Sequence, residues 1–344
     1  MGAIVNRRRY MGGGFPIDWS QQYLTFKALQ NGTFKISSAT EYSLDKGATW
    51  TALASNTNSP TISAGNTIMW RATLTPVSNS GVGTFSSSGE FEAMGNPLSL
   101  IFGNNFAGVA DLTGYDWAFA RLFRYCSKLS SIVNISLPAT TLSESCYREM
   151  FAVCTSISEP TVLPALTMKN LCYYSMFDCS GITRAPDLPA TSLAQQCYCK
   201  MFQNAKKLVD ANITISATQD ASMCYSGMFL NCEALISPPV IESSTTDYYS
   251  RYQMFEGCKN MEIAPVLKPL TLSTMSYSRM FYNCSKLRYI KAMFTSTPTN
   301  GNVGDWVGGV ASEGVFVKNS NATWANSFGD SAIPTGWTVE TASE

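Results

Sequence analysis

The chain has 344 residues, of which 45% are hydrophobic and 12% aromatic, enough to fill a core, so the composition excludes a disordered protein. Its 24 basic residues balance its 24 acidic residues, and only 14% of the chain is charged, which argues against nucleic-acid binding. No apolar run approaches the roughly 18 residues of a membrane-spanning helix. Residues 1–14 lack the apolar stretch of a secretory signal, so we expect no export by the usual route.

Residues 1–18 are predicted to form an N-terminal arm. Three arginines and a tyrosine precede Gly12-Gly13-Gly14, which combines charge with a flexible hinge. Two interpretations stay open: a disordered tail, and a docking peptide that orders on a partner. The candidate docking residues are Arg7, Arg8, Arg9 and Tyr10.

Residues 19–96 contain short alternating apolar runs separated by turn residues, a pattern typical of a small all-β sandwich domain of the Ig-like kind. Asn31-Gly32 predicts a hairpin between Phe26 and Ile36. Asp45-Lys46-Gly47 predicts another hairpin between Tyr42 and Leu53. The expected core anchors are Trp50, Trp70, Phe85 and Phe91.

Residues 122–294 carry a repeat marked by phenylalanine. The phenylalanines follow one another at intervals of 28, 26, 25, 27, 26 and 26 residues, which is the period of a solenoid. We therefore predict seven stacked coils of about 26 residues, with residues 97–121 capping the first coil and residues 295–344 forming a C-terminal β cap. The repeated phenylalanines are Phe123, Phe151, Phe177, Phe202, Phe229, Phe255 and Phe281.

Each coil divides into two predicted elements. Between Thr141 and Cys154, apolar residues recur at four-residue intervals behind a Thr141-x-x-Glu144 capping box, which predicts a short helix. The segment from Ile157 to Leu163 predicts a short extended strand. Prolines recur inside these extended segments and cannot donate to a ladder, so we expect the parallel sheet to be narrow or partly irregular.

The eleven cysteines are tied to the repeat. Six follow the phenylalanine and four precede it, with only Cys199 outside both positions. A metal site needs convergent ligands, and the chain has no C-x-x-C pair and no histidine. Two ladders of small buried thiols are therefore favoured over disulfides or a metal site.

The motif Phe151-x-x-Cys154-x-x-Ile157 leading to Leu163-Pro164 resembles the Treponema-type (BspA-like) leucine-rich repeat. The chain departs from that pattern in its longer period, in the methionine before most phenylalanines, in Ala205 where cysteine is expected, and in Cys179, which comes one residue early. The resemblance implies an α/β solenoid with a helix in each coil. It also implies a surface protein, such as an adhesin, that binds other macromolecules.

Nothing in the sequence points to catalysis or to a cofactor. Without histidine, the commonest general base and the usual nucleophile pairs are missing. Glycosidase chemistry would need two convergent carboxylates, and the candidate acids fall at different offsets of different coils, so we predict a non-enzyme. The acids considered are Glu159, Asp187, Asp210, Glu242 and Glu262.

Two surfaces are candidates for binding. One strand position holds dissimilar residues in successive coils. If these residues lie on the concave face of the solenoid, they could recognise a particular ligand. The alternative is that they are exposed strand residues without a binding role and are therefore free to vary. A tyrosine register suits glycan or protein contact, although packing between neighbouring coils explains it as well. The strand positions are Ser131, Glu159, Arg184, Asp210, Ser237, Ile263 and Tyr289, and the aromatic stripe is Tyr147, Tyr173, Tyr198, Tyr225 and Tyr277.

Two short stretches also resemble parts of virion proteins encoded by phages of gut Bacteroidetes. They are the segment from Arg8 to Gly13 and the segment that contains Ile333-Pro334 and Trp337. This resemblance implies a phage structural protein of a fibre, tail or capsid, located in the virion. Its arm would bind other virion proteins and its solenoid a host surface glycan or protein during host attachment, with a homo-oligomer left open. The alternatives are a bacterial cell-surface adhesin and a polysaccharide depolymerase.

Overall fold

The N-terminal part is built from two β-sheets. A computed structural model describes residues 17–342, so the candidate docking residues of the arm lie outside the described residues. The strands of this part are β1 (Leu24–Ala28), β2 (Phe34–Ile36), β3 (Thr40–Ser43), β4 (Thr51–Leu53), β5 (Thr67–Arg71), β6 (Phe85–Ser87), β7 (Phe91–Gly95) and β8 (Leu129–Ile135). The larger sheet has six strands in the order β4-β3-β5-β1-β7-β8, and β2 pairs with β6 in a separate sheet.

One of the two hairpin predictions is confirmed. β3 and β4 pair antiparallel, with Tyr42 opposite Thr51, and the turn between them places Lys46 and Gly47 at positive φ. The hairpin predicted at Asn31-Gly32 is wrong, because β1 pairs with β5 and β7 while β2 pairs with β6. The chain passes from one sheet to the other at this turn, so the turn residues do not join paired strands.

Three of the four expected anchors fill the core of this part. Trp70, Phe85 and Phe91 are buried, whereas Trp50 is half-buried beneath the Arg71 guanidinium, which lies 4.3 Å from its ring. Phe26 lies at the centre of these rings, 4.8 Å from Phe85. Tilted and edge-to-face aromatic contacts thus hold the two sheets together.

The N-terminal sheet continues into the repeats. β8 belongs to the first repeat, yet it pairs parallel with β7, with Phe91 opposite Leu129. Phe85 stacks on Phe123 with ring centroids 5.8 Å apart. The two parts therefore share a sheet and a continuous hydrophobic core.

The segment predicted as a helix in each repeat is a ribbon of turns, which we call the turn ribbon. In the second repeat it covers residues 144–153, where Ser145, Tyr147, Glu149 and Val153 have φ between 54° and 62°. Alternate residues in the left-handed region cannot form an α-helix. The α/β assignment is therefore not supported for the repeats. The turn ribbons are residues 116–125, 144–153, 170–179, 195–204, 222–231, 248–257 and 274–283.

Hydrogen bonds explain how the turn ribbon is stable without a helix. Alternate N–H groups close turns within the ribbon, as when Met150 N–H donates to the Tyr147 carbonyl at 3.1 Å. The intervening N–H groups mostly donate to the next ribbon, as from Phe151 to the Met176 carbonyl at 3.0 Å. Neighbouring repeats are thus linked by backbone hydrogen bonds on this side of the coil.

The extended segments form narrow parallel ladders, as the prolines predicted. β9 (Thr214–Ile215) and β10 (Val240–Ile241) are two residues long and pair parallel, and other contacts are isolated bridges. Together the repeats stack as a β-solenoid of about five turns. Stacked phenylalanine rings run along its core with centroids 5.2–5.8 Å apart, from Phe123 to Phe281.

The C-terminal residues add parallel strands to the last repeat. β11 (Tyr289–Ala292) pairs with β12 (Val315–Lys318), which pairs with β13 (Thr338–Thr341). Trp306 packs against Phe281 at 6.1 Å, where the phenylalanine stack ends. The described α-helices are two single turns, α1 (Ser99–Phe102) and α2 (Asn300–Val303), beside two 3-10 turns at Trp19–Gln21 and Gly103–Asn105.

Buried thiols line the solenoid core, as predicted. All eleven cysteines are free and ten are buried. At the position after the phenylalanine the thiol donates to a carbonyl of the preceding repeat, as from Cys258 to Phe229 at 3.2 Å. Cys179 is the exception, because Ser180 occupies the buried position and Cys179 points toward Asp178 instead.

Candidate functional site

Five of the seven predicted strand positions are joined to a neighbouring coil by parallel bridges on the extended face of the solenoid. Asp210 bridges both Arg184 and Ser237, and Ile263 bridges Tyr289. Parallel bridges place equivalent residues of successive coils about 4.8 Å apart, so these side chains form a row, which we call the extended ladder. Arg184, Asp210 and Ile263 are exposed, whereas Ser131, Glu159, Ser237 and Tyr289 are half-buried.

Salt bridges join neighbouring coils along this face. Glu159 pairs with Arg184, and Glu262 pairs with Arg288. Glu242 accepts a hydrogen bond from the Lys268 ammonium at 2.7 Å. Three of the five acids considered for catalysis are therefore each neutralised by a base from the following coil.

Exposed apolar residues lie in and beside the extended ladder, and of these the sequence pattern singled out only Ile263. Ile236 is 57% exposed and Ile263 58%. Val240 and Val266 are also exposed on the neighbouring extended positions. The face thus presents branched aliphatic side chains among polar ones, a composition suited to protein or glycan contact.

The tyrosine stripe lies inside the solenoid. All five tyrosines have exposed fractions of 0–1%. Tyr147, Tyr173, Tyr198 and Tyr225 stack in sequence with centroids 5.8–6.1 Å apart. This geometry favours the interpretation that the tyrosines pack between neighbouring coils. A surface for glycan or protein contact would need exposed rings. Burial raises the pKa of all five phenols, and it raises that of Tyr277 to about 12.

A buried ion pair interrupts the tyrosine stack. Arg251 takes the tyrosine position, and its guanidinium binds both carboxylate oxygens of Asp220 at 2.9 and 3.1 Å. Both side chains are fully buried. The guanidinium also donates to the Tyr277 hydroxyl at 3.3 Å, so it fills the gap that the missing ring would leave.

An open cleft of about 660 Å³ lies on the N-terminal sheet, where the sequence marked no pocket. Thr40, Leu53 and Leu74 line it beside Arg71, whose guanidinium donates to Glu41 at 2.7 Å. The Thr40 hydroxyl is buried without a hydrogen-bond partner among the described residues. These side chains lie far apart in the chain, so only the sheet register brings them together.

Two other kinds of site are absent from residues 17–342. No group of three or more Cys, Asp or Glu side chains in this range could hold a metal ion. No helix in the same range is long and apolar enough to cross a membrane. Comparison with protein-family models, with curated proteins and with solved structures found no match.

Proposed function

We propose that the chain is a non-enzymatic structural protein of a phage virion that binds a host surface glycan or protein through the extended face of its solenoid. The observation that carries the proposal is the extended ladder, in which a fixed backbone register presents dissimilar side chains that are exposed or half-buried. Each of the seven phenylalanine copies would then be one coil, related to the BspA-like repeats.

The mechanism is the addition of many weak contacts. Successive coils hold their exposed residues at a constant spacing, so a repeating ligand can engage several coils at once. The salt bridges between coils stiffen this face, which lowers the entropy that binding must overcome. The arm with Arg7 to Tyr10 would attach the chain to other virion proteins.

The location is tested by mass spectrometry of purified phage particles. We expect peptides of this chain at stoichiometric abundance in the particles. An upstream secretory or lipoprotein signal in the gene, together with absence from the particles, would instead establish the cell-surface adhesin.

The binding face is tested with labelled chain and cells of gut Bacteroidetes. Ile263→Ser removes an apolar contact from the extended ladder and should weaken binding about tenfold or more. Val77→Ser is the matched control, because Val77 is 59% exposed but lies in the N-terminal part. Equal binding by both variants would contradict the assignment of this face. Release of reducing sugar ends from host polysaccharide would favour the depolymerase.

A further inference from the structure

Three guanidinium groups converge on one carboxylate at the surface of the first turn ribbons. Arg121 donates to both Glu149 oxygens at 3.2 Å, and Arg148 donates to one of them at 3.2 Å. Arg124 lies 2.8 Å from the same carboxylate. The Glu149 side chain is only 9% exposed, whereas the arginine side chains are 20–29% exposed. The arginines therefore form the solvent-facing side of the cluster.

The cluster has more positive charge and more donors than its carboxylate can satisfy. Three guanidiniums around one carboxylate leave two positive charges unbalanced within it. Burial raises the pKa of Glu149, but the three arginines outweigh it and lower the pKa, so the carboxylate is ionised at neutral pH. Within the described residues the Arg124 Nε has no hydrogen-bond partner, but it is buried, so a ligand would have to use the other donors of the guanidiniums. Each guanidinium carries five donors, so capacity for another anion remains.

Aromatic rings flank these guanidiniums. The Arg148 guanidinium lies 4.7 Å from the Tyr174 ring and 5.2 Å from the Trp117 ring, which fixes its orientation. The Arg124 guanidinium lies 4.7 Å from the Tyr125 ring, and Tyr125 is 63% exposed. The surface thus pairs oriented anion donors with an open aromatic face, which is the combination that packs against a sugar ring.

We propose that Arg124, Arg148 and Tyr125 form a binding site for an acidic polysaccharide, one that carries uronic-acid carboxylates. The arginines pair with the carboxylates, and the Tyr125 ring packs against the apolar face of the sugar. Nucleic acid is a poorer fit, because its affinity comes from many phosphate contacts and this cluster offers two unbalanced charges. The site lies on the turn ribbons, so it is separate from the extended ladder and does not rest on the proposed function.

The test is calorimetric titration of the full chain with hexagalacturonate. We expect saturable binding that weakens as salt is added, and at least about tenfold weaker binding of the neutral maltohexaose. Arg148→Gln and Arg124→Gln should each weaken hexagalacturonate binding about tenfold or more, because each removes a charged donor. Tyr125→Ala should weaken it severalfold.

Glu149→Gln separates a binding site from a purely structural cluster. Removing the carboxylate frees donors for the ligand, so hexagalacturonate should bind more tightly, whereas a structural cluster would show no gain. Arg279→Gln is the matched control, an arginine on the last turn ribbon that is paired with a single glutamate, Glu256, and it should leave the affinity unchanged. Thermal unfolding establishes that each variant is folded, and the glutamine variants of Arg124 and Arg148 decide the matter if Glu149→Gln fails to fold.

Three results would overturn the proposal. The first is absence of hexagalacturonate binding by the unchanged chain. The second is equal weakening by Arg279→Gln and Arg148→Gln, which would indicate non-specific attraction. The third is equally tight binding of a thymidine hexanucleotide that is lost in the same variants, which would make this a general polyanion site.

Discussion

The last position of the turn ribbon, immediately before the buried thiol position, holds a residue in the left-handed region. Asn204, Asn231 and Asn283 have φ of 55°, 58° and 59° there, and Gly257 has 75°. Asparagine and glycine tolerate this conformation best. Val153 adopts φ 62° at the same position, although a β-branched side chain is strained there. The second repeat thus has a valine in a backbone conformation that disfavours a β-branched side chain.

Replacing that valine should therefore stabilise the protein. Val153→Asn should raise the free energy of unfolding by about 1 kcal/mol, because it removes the left-handed strain. The thermal midpoint by calorimetry measures the change. Val162→Asn is the control, since Val162 is an exposed valine that has no positive φ, and it should change little. A midpoint that Val153→Asn leaves unchanged or lowers would refute the strain argument.

Ser180 is a second local mismatch. It stands where other repeats have a cysteine, and its hydroxyl is buried with no hydrogen-bond partner among the described residues. The longer cysteine side chain reaches the preceding repeat, as Cys284 does when its thiol lies 3.0 Å from the Phe255 carbonyl. A buried polar group without a partner costs about 1–3 kcal/mol.

Ser180→Cys should therefore stabilise the protein by about 1 kcal/mol or more, by supplying the missing hydrogen bond and filling the site. Cys258→Ser makes the reverse change and should destabilise the protein by a similar amount. Denaturant unfolding of both variants measures the effect. The same sign of change in both variants would show that the thiol hydrogen bond is not the cause.

At the scale of elements, the spacing of residues predicted register better than it predicted conformation. The phenylalanine period correctly aligned the extended ladder, because parallel coils repeat at a fixed chain length. The helix prediction failed because four-residue spacing suits both a helix and a ribbon that alternates every two residues.

The hairpin at Asn31-Gly32 failed because pairing across two sheets depends on distant residues. The arginines around Glu149 were missed for a related reason, since Arg121 and Glu149 are 28 residues apart.

The buried pair of Arg251 and Asp220 gives a prediction at the same scale. Asp220→Ala leaves a buried guanidinium without its carboxylate and should destabilise the solenoid by about 3–5 kcal/mol. Arg251→Tyr combined with Asp220→Ala restores the tyrosine stack and should recover much of this loss. A double-mutant comparison by denaturant unfolding measures it. A double variant that is no more stable than Asp220→Ala alone would show that the stack cannot close at this coil.

At the scale of the whole molecule, the N-terminal sheets act as the cover of the first coil. β7 satisfies the edge of β8, and the Phe85 N–H donates to the Leu122 carbonyl at 2.8 Å. Phe85 also continues the phenylalanine stack. An uncovered first coil would expose a strand edge and apolar rings, which is the surface that promotes aggregation. The sheets and the solenoid are therefore expected to unfold together.

The ladder of buried thiols makes this shared stability sensitive to alkali. Burial raises the pKa of the Cys126 thiol from 9.0 to about 11, and it raises the pKa of Cys146 and Cys284 to about 12. Above pH 9 the unfolded chain loses these protons while the folded chain keeps them. The unfolded state then binds fewer protons, so the free energy of unfolding falls as pH rises. For Cys126 the contribution is complete below pH 9 and is lost between pH 9 and about 11.

Unfolding by denaturant between pH 7 and 11, under a reducing agent, measures this dependence. We expect little change from these groups below pH 8 and a steepening loss above pH 9, at up to about 1.4 kcal/mol per pH unit for each thiol. Cys126→Ala removes one such group and should make the alkaline slope shallower by its share. Two results would contradict a folded state that depends on protonated thiols in its core. One is a free energy of unfolding that stays constant to pH 11. The other is an alkaline slope of that free energy in Cys126→Ala that equals the slope of the unchanged chain.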